Sequence, residues 1–545
     1  MRSHVLCLLA VALIVSTVPA GRLAAADRVP LYGVHEVVLE GPQCGPRDAP
    51  ARDVELVTEW RHESGSPTQK ICGFWDGDGR GGRSGNVFKV RFCPTAEGKW
   101  TLVQTSSSDK KLDGQKEGYA VDCTGSSHPG FWIVDDQTGG RWYKRSDGSH
   151  PYIYGNTMYS FLSEYDRDEP TGGNIADDIR GNADYFAKVR FSIMGDRYPH
   201  PRVKPFLNDT GEPTDDGDSS HRPNPEWFHK RVDLAVQTAY DEDLIADLIL
   251  CGPDTQDARS VLQAAENGGD PTPLLRYIAA RYGSYPNVWI CLCNEFNIKK
   301  PKYSTDEIAR FGRTIRGYLP HPTPLSVHAS PRNWYTDLNT NPPWHDHVII
   351  QKKLKKLPQA ADWIAQNHPR GGHVPVINDE LAYEGAGDGW SEPDVIESHL
   401  GAFVGGGYGT TGHKPAGKRG HYFLGDFKAS EHKAADNLKW LRDQINENIT
   451  FWKMDPVKDG DDGRLGIFRN VDSSFRAMAW PNREYVLGTN EARSDIVAQL
   501  PPGKWRITRY EVIEKREQVL SQDASGRFRF DAPDSRAVLF HFVRQ

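Results

Sequence analysis

A central (β/α)8 TIM barrel flanked by two small all-β sandwiches is the multidomain α/β fold that this sequence predicts, and three observations predict it. From about residue 131 to 411, short apolar runs alternate with stretches of helical period, giving eight strands over about 280 residues, the scale of such a barrel. On either side the runs are short, β-branched and aromatic, and are cut by Gly, Pro, Asp and Ser clusters, as in antiparallel sheets. Two of the central runs lead into glutamates, Glu295 and Glu380, whose 85-residue separation is three units of about 28.

The chain begins with Arg2 and His4, an apolar run from Val5 to Val15, and small residues ending in Ala24, Ala25 and Ala26. That pattern predicts a signal peptide over 1–26, with cleavage after Ala26 or, second, after Ala20. No later stretch approaches the ~20 apolar residues of a membrane span. The expected product is exported, either secreted or periplasmic. The full chain's net charge of −7 is spread over both signs without a basic stripe, so neither nucleic acid nor an anionic membrane is an expected partner.

Residues 27–125 carry strand signals at 34–39, 54–60, 86–92 and 99–103, which predict a sandwich of immunoglobulin-like size. Cys44, Cys72, Cys93 and Cys123 fall in or beside it. In an oxidising compartment one or two disulfides are expected among them, with three pairings open. Strand signals return after 456, at 475–480, 484–488, 504–508 and 537–542, with a turn at Pro501, Pro502 and Gly503. They predict a second sandwich over 456–545.

Between these, residues 126–455 predict the barrel. Strands are expected at 148–158, 189–194, 244–251, 288–293, 324–328, 347–351, 374–378 and 407–411. Helices are expected at 175–188, 225–241, 272–282, 305–318, 358–366 and 393–404, the second with Asn224 as N-cap and Pro225 in its first turn. The segment 197–224 is long and rich in Asp, Pro, Gly and His, and it follows the second strand; a wall of the substrate cleft is the expectation. Its Asp215, Asp216 and Asp218 lack the rest of a calcium loop and read as a solvated turn.

Alternation along the fourth strand puts Trp289, Cys291, Cys293 and Glu295 on the face toward the barrel axis, and Val288, Ile290 and Leu292 toward the helices. Barrel chemistry sits at the C-terminal strand ends, where Asn294 and Glu295 fall. Cys251, Cys291 and Cys293 have no partner at zinc-site spacing and read as core thiols, so no metal or other cofactor is expected. Residues two apart on one strand stand about 6.5 Å apart with parallel side chains, so Cys291 and Cys293 are expected to remain unbridged. A Gly-x-Ser-x-Gly elbow and a His-Glu-x-x-His helix are both missing, which removes the serine-hydrolase and zinc-protease readings.

The order and spacing of four stretches, 150–159, 224–233, Asn294-Glu295 and 380–385, resemble the large clan of retaining glycoside hydrolases, and most of all the apiosidase-like barrels. The resemblance implies a carbohydrate substrate, Glu295 as acid/base and Glu380 as nucleophile, with Asp379 and Glu384 as the neighbours that compete with Glu380. It implies that Asn294 hydrogen-bonds the sugar hydroxyl beside the anomeric carbon, and that Asn156 and Tyr159 lie in the substrate site. His328 and Tyr383 would orient sugar and nucleophile, and Trp334 and Trp390 would offer stacking faces. One departure matters. Where the family commonly has Gly-Asp-Thr-Ala-Trp after the first strand, this chain has Gly155, Asn156, Thr157, Met158 and Tyr159, so sugar specificity does not carry over. The N-terminal sandwich resembles those ahead of many secreted glycoside hydrolase barrels, and the C-terminal one a small domain named for collagen binding. The alternative is a non-catalytic glycan-binding protein on a degenerate barrel, against which the presence of both carboxylates argues.

Overall fold

The computed structural model describes residues 26–159, 161–162, 174–194, 203–252, 260–263, 265–298, 300–329, 344–369, 373–385, 390–413, 427–458 and 464–545. Residues 1–25 of the expected signal peptide and Trp334 lie outside the described residues. Eight parallel strands make the centre: β1 (Tyr154–Thr157), β2 (Lys188–Ser192), β3 (Ile245–Cys251), β4 (Val288–Cys293), β5 (Leu325–Ser326), β6 (Val348–Ile350), β7 (Val376–Glu384) and β8 (Tyr408–His413). Their hydrogen-bonded order is β5-β4-β3-β2-β1-β8-β7-β6. A parallel bridge between His328, just past β5, and Ile349 in β6 closes the ring.

Helices cover the outside: α1 (Ile175–Ala183), α2 (Asp233–Asp241), α3 (Thr272–Tyr282), α4 (Thr305–Arg316), α5 (Leu357–Asn367), α6 (Glu392–Val404) and α7 (Ala434–Asn448). Serines start α4 and α6, where Ser304 with Glu307 and Ser391 with Asp394 form reciprocal capping boxes. The stretch expected as one helix over 225–241 is interrupted by a π-helical segment at Phe228–Val232, and α2 begins only after it. The sequence reading passed over α7, whose Leu438, Leu441 and Ile445 nevertheless form a buried stripe at helical spacing.

Strand β7 departs most from expectation. It does not stop at 378 but continues to Glu384, and its register against β8 shifts between Asn378, which faces Gly409, and Ala382, which faces Thr411. Four steps along β7 therefore match two along β8, a bulge on the inner wall of the barrel.

Two sheets of five and three strands, antiparallel except where Asp27–Pro30 pairs parallel with Ala120–Thr124, lie N-terminal to the barrel around Trp60, Phe92 and Trp100. Trp60 stacks on Phe92 at 4.2 Å between centroids. Sheets of six and four strands follow the barrel, around Trp505, Phe540 and Phe542. The N-terminal sheets dock on the barrel through charge. Arg91 reaches Asp233 at 2.6 Å, and Arg281 reaches the same carboxylate at 2.6 Å. Burial alone would raise the Asp233 carboxyl, but Arg281 and Arg91 hold it down at about 2.

The expected disulfides are not formed. Every cysteine among the described residues is a thiol. On the ladders Cys44 faces Gly85, Cys72 faces Val57, and Cys123 faces Gly98 and Val29, while Cys93, just past its strand, is close enough to Cys123 for the two thiols to influence each other. No helix among the described residues is long and apolar enough to cross a membrane.

Candidate active site

The site is built at the C-terminal ends of the strands. Trp289 lies under the Lys188 ammonium, 5.9 Å from ring centroid to Nζ, and Cys291 packs with Tyr159, Ile249 and Ile349 inside the barrel. Beyond Cys293 the chain leaves the strand. Asn294 N donates to Cys251 O (3.1 Å), Phe296 N donates to His328 O (3.1 Å), and Glu295 between them has φ = 47°. A non-glycine residue in the left-handed region costs about 1 kcal/mol or more. The neighbouring backbone bonds hold it there, with the carboxyl buried.

Glu380 comes from the other side of the ring. In a regular strand consecutive side chains point to opposite faces. The β7 bulge lets both Asp379 and Glu380 face the interior, Asp379 one layer down against Lys188 and Glu380 at the level of Glu295. Gln351, just past β6, joins the two glutamates: its Nε2 donates to Glu295 Oε1 (2.9 Å) and to Glu380 Oε2 (2.7 Å). Because both distances meet at one nitrogen, the two oxygens stand no more than 5.6 Å apart.

Glu380 is ringed by donors. The Tyr159 hydroxyl donates to its Oε1 (2.7 Å), and Arg190 Nη1 donates to the Tyr159 oxygen (3.0 Å). Arg190 Nη2 donates to Asn294 Oδ1 (2.5 Å) and lies 3.0 Å from His328 Nδ1, which also sits against Asn294 Oδ1. The Tyr383 hydroxyl is 3.3 Å from that of Tyr159. Burial and then the charge of Glu295 push the Glu380 carboxyl above its ordinary range, while Arg190, Tyr159 and Gln351 pull it back. Burial and then Arg190 push the His328 imidazole well below its usual value, so it is neutral.

Asn294, Tyr159, His328 and Tyr383 thus gather around the two glutamates. Asn156 does not. Its Nδ2 donates to Asn182 Oδ1 on α1 (2.7 Å), on the helix-facing side of β1, which corrects the expectation that it meets substrate. Strand alternation gives the reason, since Gly155 and Thr157 take the inward positions. The rivals of Glu380 are engaged elsewhere: Asp379 with Lys188, and Glu384 with His432 Nδ1 (2.7 Å) and with the backbone N–H groups of Lys433 and Ala434 at the start of α7. Trp390 bridges to Gly385, with the Lys355 ammonium 5.1 Å from its ring centroid.

In the segment expected as a cleft wall, Phe206–Leu207 and Pro213–Thr214 form a hairpin, Asp215 pairs with Lys204 (2.9 Å), and Asp216 caps a turn. Among the described residues no group of three or more His, Cys, Asp or Glu could hold a metal ion. A cavity of about 750 Å³ lies by the linker around Trp452 and Asp455, but its lining includes neither glutamate, and the convergence of charge at the strand ends decides where the chemistry sits.

Sequence reasoning missed Arg190 and Gln351. Gln351 was detectable by the rule that found Glu295, as a polar residue closing a short apolar run. Lys188 and Arg190 were detectable as cations alternating along a strand that is otherwise fully buried.

A family model for apiosidase-like catalytic domains matches residues 138–411, and one for a domain of unknown function (DUF5060) matches 28–107. Among solved structures, a protein of Bacteroides vulgatus ATCC 8482, provisionally named a glycoside hydrolase, aligns over 95% of this chain and 100% of its own at 20% identity and a TM-score of 0.72. A glycoside hydrolase family 5 protein from the same organism aligns over 76% of this chain and 94% of its own, at 16% identity and a TM-score of 0.59. At these identities the likeness is one of fold. Among curated proteins none matches.

Proposed function

The chain belongs to the family of apiosidase-like catalytic domains and is a glycosidase, and from that premise we propose a secreted enzyme that cleaves a poly- or oligosaccharide with retention of anomeric configuration. The single observation that carries the reading is the Gln351 amide held between Glu295 and Glu380. Oxygens no more than 5.6 Å apart suit the ~5–5.5 Å spacing of a nucleophile and an acid/base better than the ~6.5–9.5 Å at which an inverting pair holds a water.

Two carboxylates this close do not both ionise readily, so one holds a proton. In the proposed reaction Glu295 holds it and Glu380 is the anion. Glu380 accepts from Tyr159 and Gln351 and lies near Arg190, all of which stabilise its anion. When Glu295 is protonated, its charge no longer raises the Glu380 carboxyl. In the first step a Glu380 oxygen bonds to the anomeric carbon as the glycosidic bond breaks, and Glu295 gives its proton to the departing oxygen. In the second, Glu295 takes a proton from water, whose oxygen displaces Glu380. Asn294, fixed by Arg190 and His328, is set to bind the neighbouring sugar hydroxyl.

Secretion rests on the N-terminal pattern of charge, apolar run and small residues over 1–26. We read 27–125, 126–455 and 456–545 as the three units of the exported chain. The test is a screen of the purified full chain on polysaccharides and aryl glycosides beside Glu295→Gln. Turnover lost in the variant supports the reading, and turnover kept in it contradicts it.

A further inference from the structure

The inward turn of Glu380 depends on the β7 bulge, and Lys188 is the residue placed to hold that bulge. Its ammonium lies 2.5 Å from Asp379 Oδ1 and 3.1 Å from Asp247 Oδ2, so one cation ties β2 to β3 and, across the barrel, to β7. Thr410 on β8 donates its hydroxyl to the same Asp379 oxygen, and Arg190 Nε stands 3.7 Å from the other. All of these side chains are fully buried. Asp379 immediately precedes Glu380, so the anchor acts one residue from the carboxylate that the site uses.

Gly155 makes room for this anchor. A Cβ at that position would lie 2.9 Å from Lys188 Cε and 2.8 Å from Thr410 Oγ1, closer than side-chain carbons pack. The glycine in β1, the lysine in β2, the aspartate in β7 and the threonine in β8 thus form one interlocking arrangement beneath the site. On the outer wall a Cβ at Gly409 would lie 3.0 Å from Leu381 Cδ2 and 3.0 Å from His399 Cδ2, so this glycine leaves room for Leu381 beside the bulge.

We propose that Lys188 is a positioning residue for the reaction: by clamping Asp379 it sets the bulge that aims Glu380 at the anomeric carbon. The inference rests on Glu380 being the nucleophile. Lys188 touches no substrate, and its effect belongs in kcat, because a misaimed nucleophile costs orientation at the reacting centre while the sugar-binding groups stay in place. Removing the cation alone would leave two buried carboxylates against each other, so Lys188→Met is expected to fold poorly. The informative variant is Lys188→Met/Asp379→Asn, which removes one charge of each sign and leaves Asp247 near Arg190.

The test measures kcat and KM on an aryl glycoside that the full-length enzyme turns over, with thermal unfolding of each variant and Glu380→Ala run alongside. The expected result for the double variant is cooperative unfolding within a few degrees of the parent, kcat lowered about 10²-fold, and KM within twofold. Gly155→Ala, which crowds the lysine without removing it, should lower kcat severalfold with KM again unchanged. A folded double variant with parental kcat, while Glu380→Ala is inactive, overturns the role of Lys188 and spares that of Glu380. A loss that appears in KM rather than kcat overturns it equally. Turnover surviving in Glu380→Ala overturns the assignment of the nucleophile, and this inference with it.

Discussion

Glu295 and Glu380 share one hydrogen-bond donor: Nε2 of Gln351 reaches the first at 2.9 Å and the second at 2.7 Å. The two carboxyl groups come from opposite sides of the barrel wall, β4 and β7, and meet only because the ring is closed.

The two glutamates should fail differently. Glu380→Ala is expected to abolish turnover of every substrate, since no other carboxylate takes its place. Glu295→Ala should spare the first step when the leaving group needs no proton. Comparing activated with unactivated aryl glycosides checks this, and equal losses on both would remove Glu295 from the acid/base role.

Gln351→Met should lower kcat about 10²-fold, the scale of losing one aimed donor in a buried site. It should also shift the acidic limb of the pH profile. Gln351 donates to Glu380 and pulls its carboxyl down, so without that donor a higher pH is needed to ionise it. A pH profile of kcat/KM that moves to lower pH would contradict this.

Burial and the Glu295 charge raise the Glu380 carboxyl above its ordinary range. Because the folded state raises this carboxyl, its ionisation destabilises the fold as pH rises through the folded value. Glu380→Gln should therefore unfold at a higher temperature than the parent at neutral pH.

Docking of the N-terminal sheets should be acid-sensitive. Asp233 is held at about 2 by Arg281 and Arg91, so its contribution is present above the unfolded value of ~3.9 and is lost as pH falls from there toward 2. Asp233→Asn should destabilise the fold at pH 7, because it leaves Arg281 with Asp76 (2.8 Å) and Arg91 with Glu36 (3.2 Å) as their remaining carboxylate partners. Denaturant unfolding of parent and variant at pH 7 and pH 3 measures it. The gap between them should narrow at the lower pH.

The barrel was legible because strand and helix periods alternate plainly from 131 to 411, and the glutamates because each follows an apolar run. Asn294, Tyr159, His328 and Tyr383 were legible through the resemblance, which carries their order along the chain. What the sequence hid depends on register. The sequence placed Glu380 at the end of β7 but not the strand's continuation to Glu384 or its bulge, since a bulge has no periodicity of its own and appears only against the partner strand. Asn156 was misplaced for the same reason: one step along β1 decides whether a side chain meets the barrel axis or α1. The disulfide expectation came from compartment and count, neither of which shows which strands lie side by side.

The stereochemistry of the first-formed product tests the central claim most directly. Proton NMR of a reaction stopped before mutarotation should show the released sugar in the anomeric configuration of the substrate, as two displacements through Glu380 require. Appearance of the opposite anomer first would mean that water attacks directly, with Glu380 as its base, and would contradict the account.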